Sequence, residues 1–285
     1  MQTRARIGAA STHAHEWVAR QEPTTRTGVL IEAWRRYNSI EGPLQSALLS
    51  LYIVVAVVPA LLVMEAYVDS NPTALADHLV REYSLNAPTS SLLHSVLGGT
   101  RRHELGSAAF AIAGALIFGL GFGRVLQLIH ARAWRISLKV GVRDQGLYTA
   151  VLLGFYGLIL LLLAQLNTLG GAPGWLGPTL AVGWIALLVL FFVWAPWLLL
   201  HKQISRRQLL PAATLTAVGL VALMVASGFV MQLWVDLYAR DYGGLGVFLA
   251  IYFWILFSSG VIVCAASLAP ALAQRRVLRA ERALS

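Results

Sequence analysis

Residues 176–200 read LGPTLAVGWIALLVLFFVWAPWLLL, and this stretch contains no charged side chain. A helix needs about 20 predominantly apolar residues to cross the hydrocarbon core of a bilayer, so the stretch is long enough to span a membrane. A continuous apolar run of this length also differs from the short alternating strands of a membrane β-barrel. It therefore predicts a transmembrane helix.

Five further stretches share this length and apolar character. The six predicted spans cover residues 44–68, 106–129, 147–166, 176–200, 209–235 and 247–272. Composition agrees, because 58% of the 285 residues are hydrophobic and only 12% are charged, about half the charged share of a soluble domain. We therefore predict an all-α integral membrane protein with six transmembrane helices, which form a single membrane domain over residues 27–275.

The basic residues orient this domain in the membrane. Of the 22 lysines and arginines, seventeen lie before the first span, after the last span, or in the loops that follow the second and fourth spans, and four lie in the opposite loops. Lys and Arg accumulate on the cytoplasmic side of membrane proteins. We therefore predict that both termini are cytoplasmic, with a flexible basic tail at residues 1–26 and a second basic tail at residues 276–285.

Two regions outside the spans are also predicted to contain helix. The segment TGVLIEAWRRYNSI (27–40) places its apolar residues on one helical face, which predicts an amphipathic helix at the inner surface. Its arginines either contact lipid phosphates or are simply solvated. The outer loop at 69–105 is longer than a connection requires, and its Asn71-Pro72 and Pro88 are typical helix starts. We expect this loop to be partly helical.

The inventory of reactive side chains excludes several classes of function. The one cysteine, Cys264, cannot form a disulfide framework or a thiolate metal cluster. The 7 histidines and 13 acidic residues form no metal-ligand or nucleophile pattern inside a span. We therefore expect no enzyme activity, no cofactor and no metal. The net charge of +9 lies between apolar runs, which favours anionic phospholipid over nucleic acid as the partner.

Three polar residues within the predicted spans are candidate contacts for a lipid or another substrate. Arg124 lies near the inner end of the second span, where its guanidinium either binds a lipid phosphate in a bidentate manner or reaches the cytoplasm by snorkelling. Gln127, one turn further on, would share that site. Glu65 lies near the outer end of the first span and is either a proton or cation site at a cavity mouth or a boundary residue.

Two hydroxyl groups and two prolines lie deeper in the predicted spans. Tyr156 and Ser258 fall near the middle of the third and sixth spans, where a hydroxyl either faces a polar pathway or bonds to a neighbouring helix. Pro59 and Pro196 lie inside the first and fourth spans, and a proline inside a helix is expected to kink it. Kinks free carbonyl groups that can line a cavity.

The second span also carries a pair of glycines with a spacing typical of close helix packing. Gly119 and Gly123 form a small-xxx-small pattern, which allows two helices to approach closely. The pattern is satisfied by packing within one chain, by a homo-oligomer, or by a ligand cleft.

Three stretches of the sequence carry a resemblance to a known family. The first span, LQSALLSLYIVVAVVPALLV, has Tyr52 seven residues before Pro59, and the second span ends in FGRVLQLIHARAWRI. The most specific stretch begins at Tyr242 and reads YGGLGVFLAIYFWILFSSGVIVCAASLAPAL. Together these stretches resemble the YihY/BrkB family of six-span bacterial inner-membrane proteins, once misnamed ribonuclease BN, over roughly residues 27–275. Many relatives end the last span with Gly-Ala-Glu, where this chain has Ala265-Ala266-Ser267.

The resemblance implies a multi-pass protein of the bacterial cytoplasmic (inner) membrane without a settled biochemical activity. Lipid or envelope-precursor transport has been suggested for some relatives. Two hypotheses follow. The first is a transporter or flippase of an anionic envelope lipid or precursor, and the second is a non-transporting membrane scaffold that binds envelope-assembly partners. A groove lined by the candidate residues would favour transport, whereas a solid bundle would favour a scaffold.

Overall fold

The structure is a computed structural model that describes most of the chain. It covers residues 25–68, 77, 80, 81, 87, 90, 91, 94, 106–138, 141–169, 176–242 and 244–284. Over these residues all regular secondary structure is helical, and the longer helices number seven. They are α1 (Arg26–Ser39), α2 (Gly42–Val68), α3 (Gly106–Ala133), α4 (Val142–Leu169), α5 (Leu176–Leu199), α6 (Arg206–Tyr242) and α7 (Gly244–Leu284). The predicted all-α class is confirmed.

Three helices are long and apolar enough, within the described residues, to cross a membrane. Their apolar parts are Val182–Leu199 in α5, Arg206–Met231 in α6 and Phe248–Arg279 in α7. A fourth span is present if α1 and α2, which are bent by 63°, count as one broken span. The helices α3 and α4 cover the predicted second and third spans. The full count of six spans stays a prediction.

The helix α7 is longer than a bilayer requires. Its 41 residues correspond to about 60 Å at 1.5 Å per residue, about twice the thickness of the hydrocarbon core. It passes the predicted end of the sixth span and continues through the predicted tail at 276–285 as far as Leu284. Because α7 also packs against α1, the two helices support each other outside the predicted spans.

A tight turn connects α1 to α2. The side chain of Thr25 accepts a hydrogen bond from the Gly28 N–H and caps the start of α1. At the other end of the helix, Glu41 has a φ of 56°, a left-handed conformation that redirects the chain into α2. The amphipathic helix expected at 27–40 is therefore present as α1, and it is set at an angle to the helix that follows.

The described core lies between α2, α3, α4, α5 and α7. Its fully buried side chains include Leu49, Leu126, Leu152, Leu199 and Val263. Glycines allow the helices to approach: a Cβ at Gly121 would run into the ring of Tyr52, and a Cβ at Gly123 would lie 2.8 Å from the Cα of Tyr148. Close packing of α3 against both α2 and α4 therefore depends on these two positions.

Parts of the predicted outer loop and tails can also be compared with the structure. The described residues of the outer loop are helical, and Asp77 and His94 approach to 3.4 Å between Oδ1 and Nε2. This agrees with a partly helical loop. The flexible tail predicted at 1–26 lies outside the described residues except for its last two positions.

Candidate functional site

Arg124 and Gln127, which the sequence placed in one site, differ in exposure although they are only three residues apart on α3. Arg124 is exposed, as are Leu128 and Arg132 at successive steps of four residues, so these side chains form one outward stripe. Gln127 is only 4% exposed and points into the bundle. Arg124 therefore remains a candidate contact for lipid phosphates, and Gln127 has a different role.

Gln127 joins three helices through its two amide atoms. Its Nε2 donates a hydrogen bond of 2.8 Å to the carbonyl of Leu199 at the end of α5. Its Oε1 accepts a hydrogen bond of 2.5 Å from the hydroxyl of Tyr148 on α4. Satisfying both ends of a buried amide makes it a fixed structural element, so Gln127 ties α3 to α4 and α5.

A buried carboxylate lies beside this amide at the start of α4. Asp144 is 2% exposed and accepts a hydrogen bond of 2.7 Å from the Gly141 N–H. Its other oxygen lies 2.5 Å from Nε2 of His201, a residue with a φ of 51° in the turn between α5 and α6. Burial alone would raise the pKa of Asp144, but the hydrogen bonds from Gly141, His201 and Gln127 and the nearby imidazole together hold this pKa below its ordinary value.

Sequence reasoning missed this cluster of Gln127, Asp144, Tyr148 and His201. Asp144 and His201 are 57 residues apart, and no spacing rule connects them. The one available signal was their position, since both lie beside predicted inner ends of spans. The cluster forms a polar junction between α3, α4 and the α5–α6 turn, which is buried at Gln127, Asp144 and Tyr148 and reaches the surface at His201.

A second junction fixes α1 to the bundle. Arg36 is 9% exposed, and its guanidinium donates three hydrogen bonds: to the carbonyl of Ala133 at 2.9 Å, to Oε1 of Gln274 at 3.2 Å and to Oε1 of Glu32 at 2.9 Å. Arg35, the preceding residue, is exposed. Only one of the two arginines considered for lipid contact is therefore available to the membrane surface.

The two predicted midspan hydroxyls bond to helix backbone. Tyr156 donates a hydrogen bond of 2.9 Å to the carbonyl of Ala56 and so joins α4 to α2. Ser258 donates a hydrogen bond of 3.0 Å to the carbonyl of Trp254 within its own helix. Both hydroxyls therefore make the helix-packing contact that was one of the two alternatives for them; a role of either residue in lipid or substrate contact stays a prediction.

Of the remaining predicted positions, the structure describes the surroundings of some and not of others. Gly123 packs against Tyr148 within the chain, which assigns its small size to internal packing. Pro196 lies inside α5, and its kink stays a prediction. The side chains of Glu65 and Pro59, and the surroundings of Gly119, lie outside the described residues.

An apolar groove opens between α6 and α7 and reaches the start of α2. Its volume is about 620 Å³, within the range of about 300–1,000 Å³ typical of ligand pockets. The groove is lined by Tyr37, Ser46, Gly219, Phe257, Gly260 and Cys264, among others. Gly260 contributes depth, because a Cβ at this position would meet nothing within 4 Å. Sequence reasoning named Cys264 only for its chemistry and did not place it in a groove.

Basic and aromatic side chains surround the turn between α5 and α6. The ammonium of Lys202 lies 5.0 Å from the ring centre of Trp197, and the guanidinium of Arg206 lies 3.9 Å from it. Cation–π contacts of this kind are favoured where water is partly excluded. Two cationic side chains therefore lie together at this end of the bundle; that this end faces the cytoplasm stays a prediction.

One comparison with known proteins gives a match. The family model described as Virulence factor BrkB matches residues 33–284, which is most of the chain. No curated protein and no solved structure matches.

Proposed function

This chain belongs to the virulence factor BrkB family. From that membership and the apolar helices, we propose that it is a six-span protein of the bacterial cytoplasmic membrane. We propose further that it binds an anionic envelope lipid or lipid-linked precursor and moves this lipid between the leaflets. Both termini face the cytoplasm in this proposal. The protein performs no covalent chemistry and needs no cofactor. Its partner is the lipid itself.

The observation that carries the proposal is the groove between α6 and α7. The groove has a volume of about 620 Å³, and its lining of Phe257, Val261 and Gly260 is apolar, which suits an acyl or isoprenoid chain. Tyr37 supplies a hydroxyl group at the end near α1 and α2, whereas the hydroxyl of Ser46 donates a hydrogen bond of 2.8 Å to the Gly42 carbonyl. A site that is apolar along its length and polar at one end matches the chemistry of a lipid.

Charge supports an anionic headgroup. The chain has 22 basic residues against 13 acidic ones, and Arg124, Arg132 and Arg206 are exposed near inner ends of helices. Each Lys or Arg near an anionic surface contributes about 1 kcal/mol of attraction. Topology can be tested separately, since cysteines introduced between residues 71 and 100 should react with an impermeant reagent added outside intact cells.

The functional test fills the groove and uses a matched control. At both Gly260 and Gly228 an added Cβ meets nothing within 4 Å, so Gly260→Leu and Gly228→Leu should both fold, but only Gly260 lines the groove. After reconstitution into vesicles, translocation of a fluorescent anionic phospholipid and the phospholipid retained per protein should fall for Gly260→Leu alone. Equal values for wild type and both variants would contradict the proposal.

The scaffold hypothesis is supported by a different observation. Gln127, Tyr156 and Ser258, the residues that would have lined a polar pathway, are all hydrogen-bonded to helix backbone, which describes a firmly packed bundle. A scaffold that binds envelope-assembly proteins needs no lipid movement. Unchanged translocation in Gly260→Leu, together with no translocation above protein-free vesicles in wild type, would favour this alternative.

A further inference from the structure

Two large apolar side chains point outward from α1 although the helix is rich in charge. Leu30 is 64% exposed and Trp34 is 63% exposed. These residues are four apart and therefore share one face of the helix. Trp34 stacks on Tyr37 with ring centres 5.7 Å apart, so this face is continuous with a side chain that lines the groove.

The contacts on the opposite side of α1 hold this face outward. Arg36 follows Trp34 by two residues, which is about 200° around the helix, and it is bonded to α3 and α7 through Ala133 and Gln274. Val29 is also buried, at 4% exposure. The helix therefore cannot turn Leu30 and Trp34 inward without breaking the contacts of Arg36.

The charges on α1 fit a membrane surface and not a membrane interior. Its 14 residues include Arg26, Glu32, Arg35 and Arg36, and charged residues are costly in the hydrocarbon core. The carboxylate of Glu32 is held by Arg36, whereas Arg35 is exposed on the flank of the apolar face. The 63° bend between α1 and α2 sets α1 away from the direction of a helix that crosses the bilayer.

We propose that α1 is a docking helix for the anionic headgroup surface of the cytoplasmic leaflet. Leu30 and Trp34 insert below the phosphates, as apolar and Trp side chains of interfacial helices do, and Arg35 binds the phosphates. Arg36 takes no part in lipid binding and instead fixes the helix on the bundle. Leu30, Trp34 and Arg35 do not themselves line the groove, so α1 docks whether or not the groove carries a lipid.

The test measures the depth of single side chains in the full-length protein. In a Cys264→Ala background, cysteines replace Leu30, Trp34 or, as an aqueous control, the exposed Gln203 of the α5–α6 turn, and each carries an environment-sensitive fluorophore. The labelled proteins are reconstituted into vesicles of phosphatidylcholine alone or of equal parts phosphatidylcholine and phosphatidylglycerol. Both vesicle types contain a lipid with a nitroxide high on its acyl chain.

The fluorophores at positions 30 and 34 should be quenched several times more strongly than the one at position 203, and more strongly in the anionic vesicles. Adding Arg35→Gln should abolish the excess quenching in anionic vesicles. Quenching at positions 30 and 34 that does not exceed quenching at Gln203 would overturn the proposal. If quenching is still stronger in the anionic vesicles after Arg35→Gln, Arg35 is not the residue that binds the phosphates.

Discussion

Replacing Gly123 by alanine tests the close approach of α3 and α4. An added Cβ at Gly123 would lie 2.8 Å from both Cα and Cβ of Tyr148. Because one of these atoms is backbone, a rotamer change cannot relieve the contact. Ordinary contact begins at 3.4 Å, so restoring ordinary contact requires the helices to separate by 0.6 Å, the difference between these two distances.

The expected cost comes from overpacking. Forcing extra volume into a packed site destabilises a protein by about 1–3 kcal/mol, and the same separation would strain the Tyr148–Gln127 hydrogen bond of 2.5 Å. Alanine also favours a helix over glycine by about 1 kcal/mol, which would hide part of the loss. Gly157→Ala is the matched control, because Gly157 lies in α4 and a Cβ there meets nothing within 4 Å.

The helix-propensity gain is the same in both variants and cancels in their difference. We therefore expect Gly123→Ala to be about 1–3 kcal/mol less stable than Gly157→Ala. The assay is the thermal midpoint of the protein in detergent, followed by circular dichroism and by the fraction that remains monodisperse after heating. Equal midpoints, or a higher midpoint for Gly123→Ala, would refute the packing of α3 against Tyr148.

Three further predictions address the polar residues. Arg36→Met should lower the stability by about 2 kcal/mol because it removes charged hydrogen bonds, whereas Arg35→Ala should change it by less than about 0.5 kcal/mol; similar losses in thermal unfolding would contradict the assignment. The lowered pKa of Asp144 means that its charge stabilises the fold above the ordinary value of 3.8 and that this contribution is lost as pH falls through the lower folded-state pKa. Wild type should therefore have a larger free energy of unfolding than Asp144→Asn near neutral pH, and this difference should narrow as the pH falls below 3.8. A difference that stays constant from neutral to strongly acidic pH would refute the electrostatic role of Asp144. Arg124→Lys should reduce the phospholipid retained after extraction, since an ammonium lacks the planar pair of donors, and Arg124→Leu should reduce it further, whereas three equal contents would show that Arg124 only snorkels.

The fold class followed from properties that are local in sequence. The length and apolar character of 176–200 predicted α5, which the structure places at Leu176–Leu199, and the glycine-rich second span begins at Gly106 in both. Such agreement is expected because a helix in a membrane must satisfy its hydrogen bonds within its own segment. The pattern of one segment is then sufficient to predict that helix.

The site could be predicted only in part, because its contacts join distant segments. Hydropathy located Arg124 and Gln127 three residues apart, but only packing shows that one faces outward and the other is buried. The Asp144–His201 contact and the bonds of Arg36 depend on which helix ends meet. The groove depends on the spacing between α6 and α7, which no single-helix pattern encodes.

The most direct test of the central claim uses Cys264, which is exposed and lines the groove and is the one cysteine of the chain. The measurement is the alkylation rate of Cys264 in delipidated protein as phosphatidylglycerol is added in small molar amounts. The control is Gly228→Cys in a Cys264→Ala background, at an exposed position outside the groove. If a lipid occupies the groove, the rate at Cys264 falls and saturates near one lipid per protein while the control rate is unchanged. A rate at Cys264 that does not respond to lipid, or that falls only in parallel with the control, would contradict lipid binding in the groove.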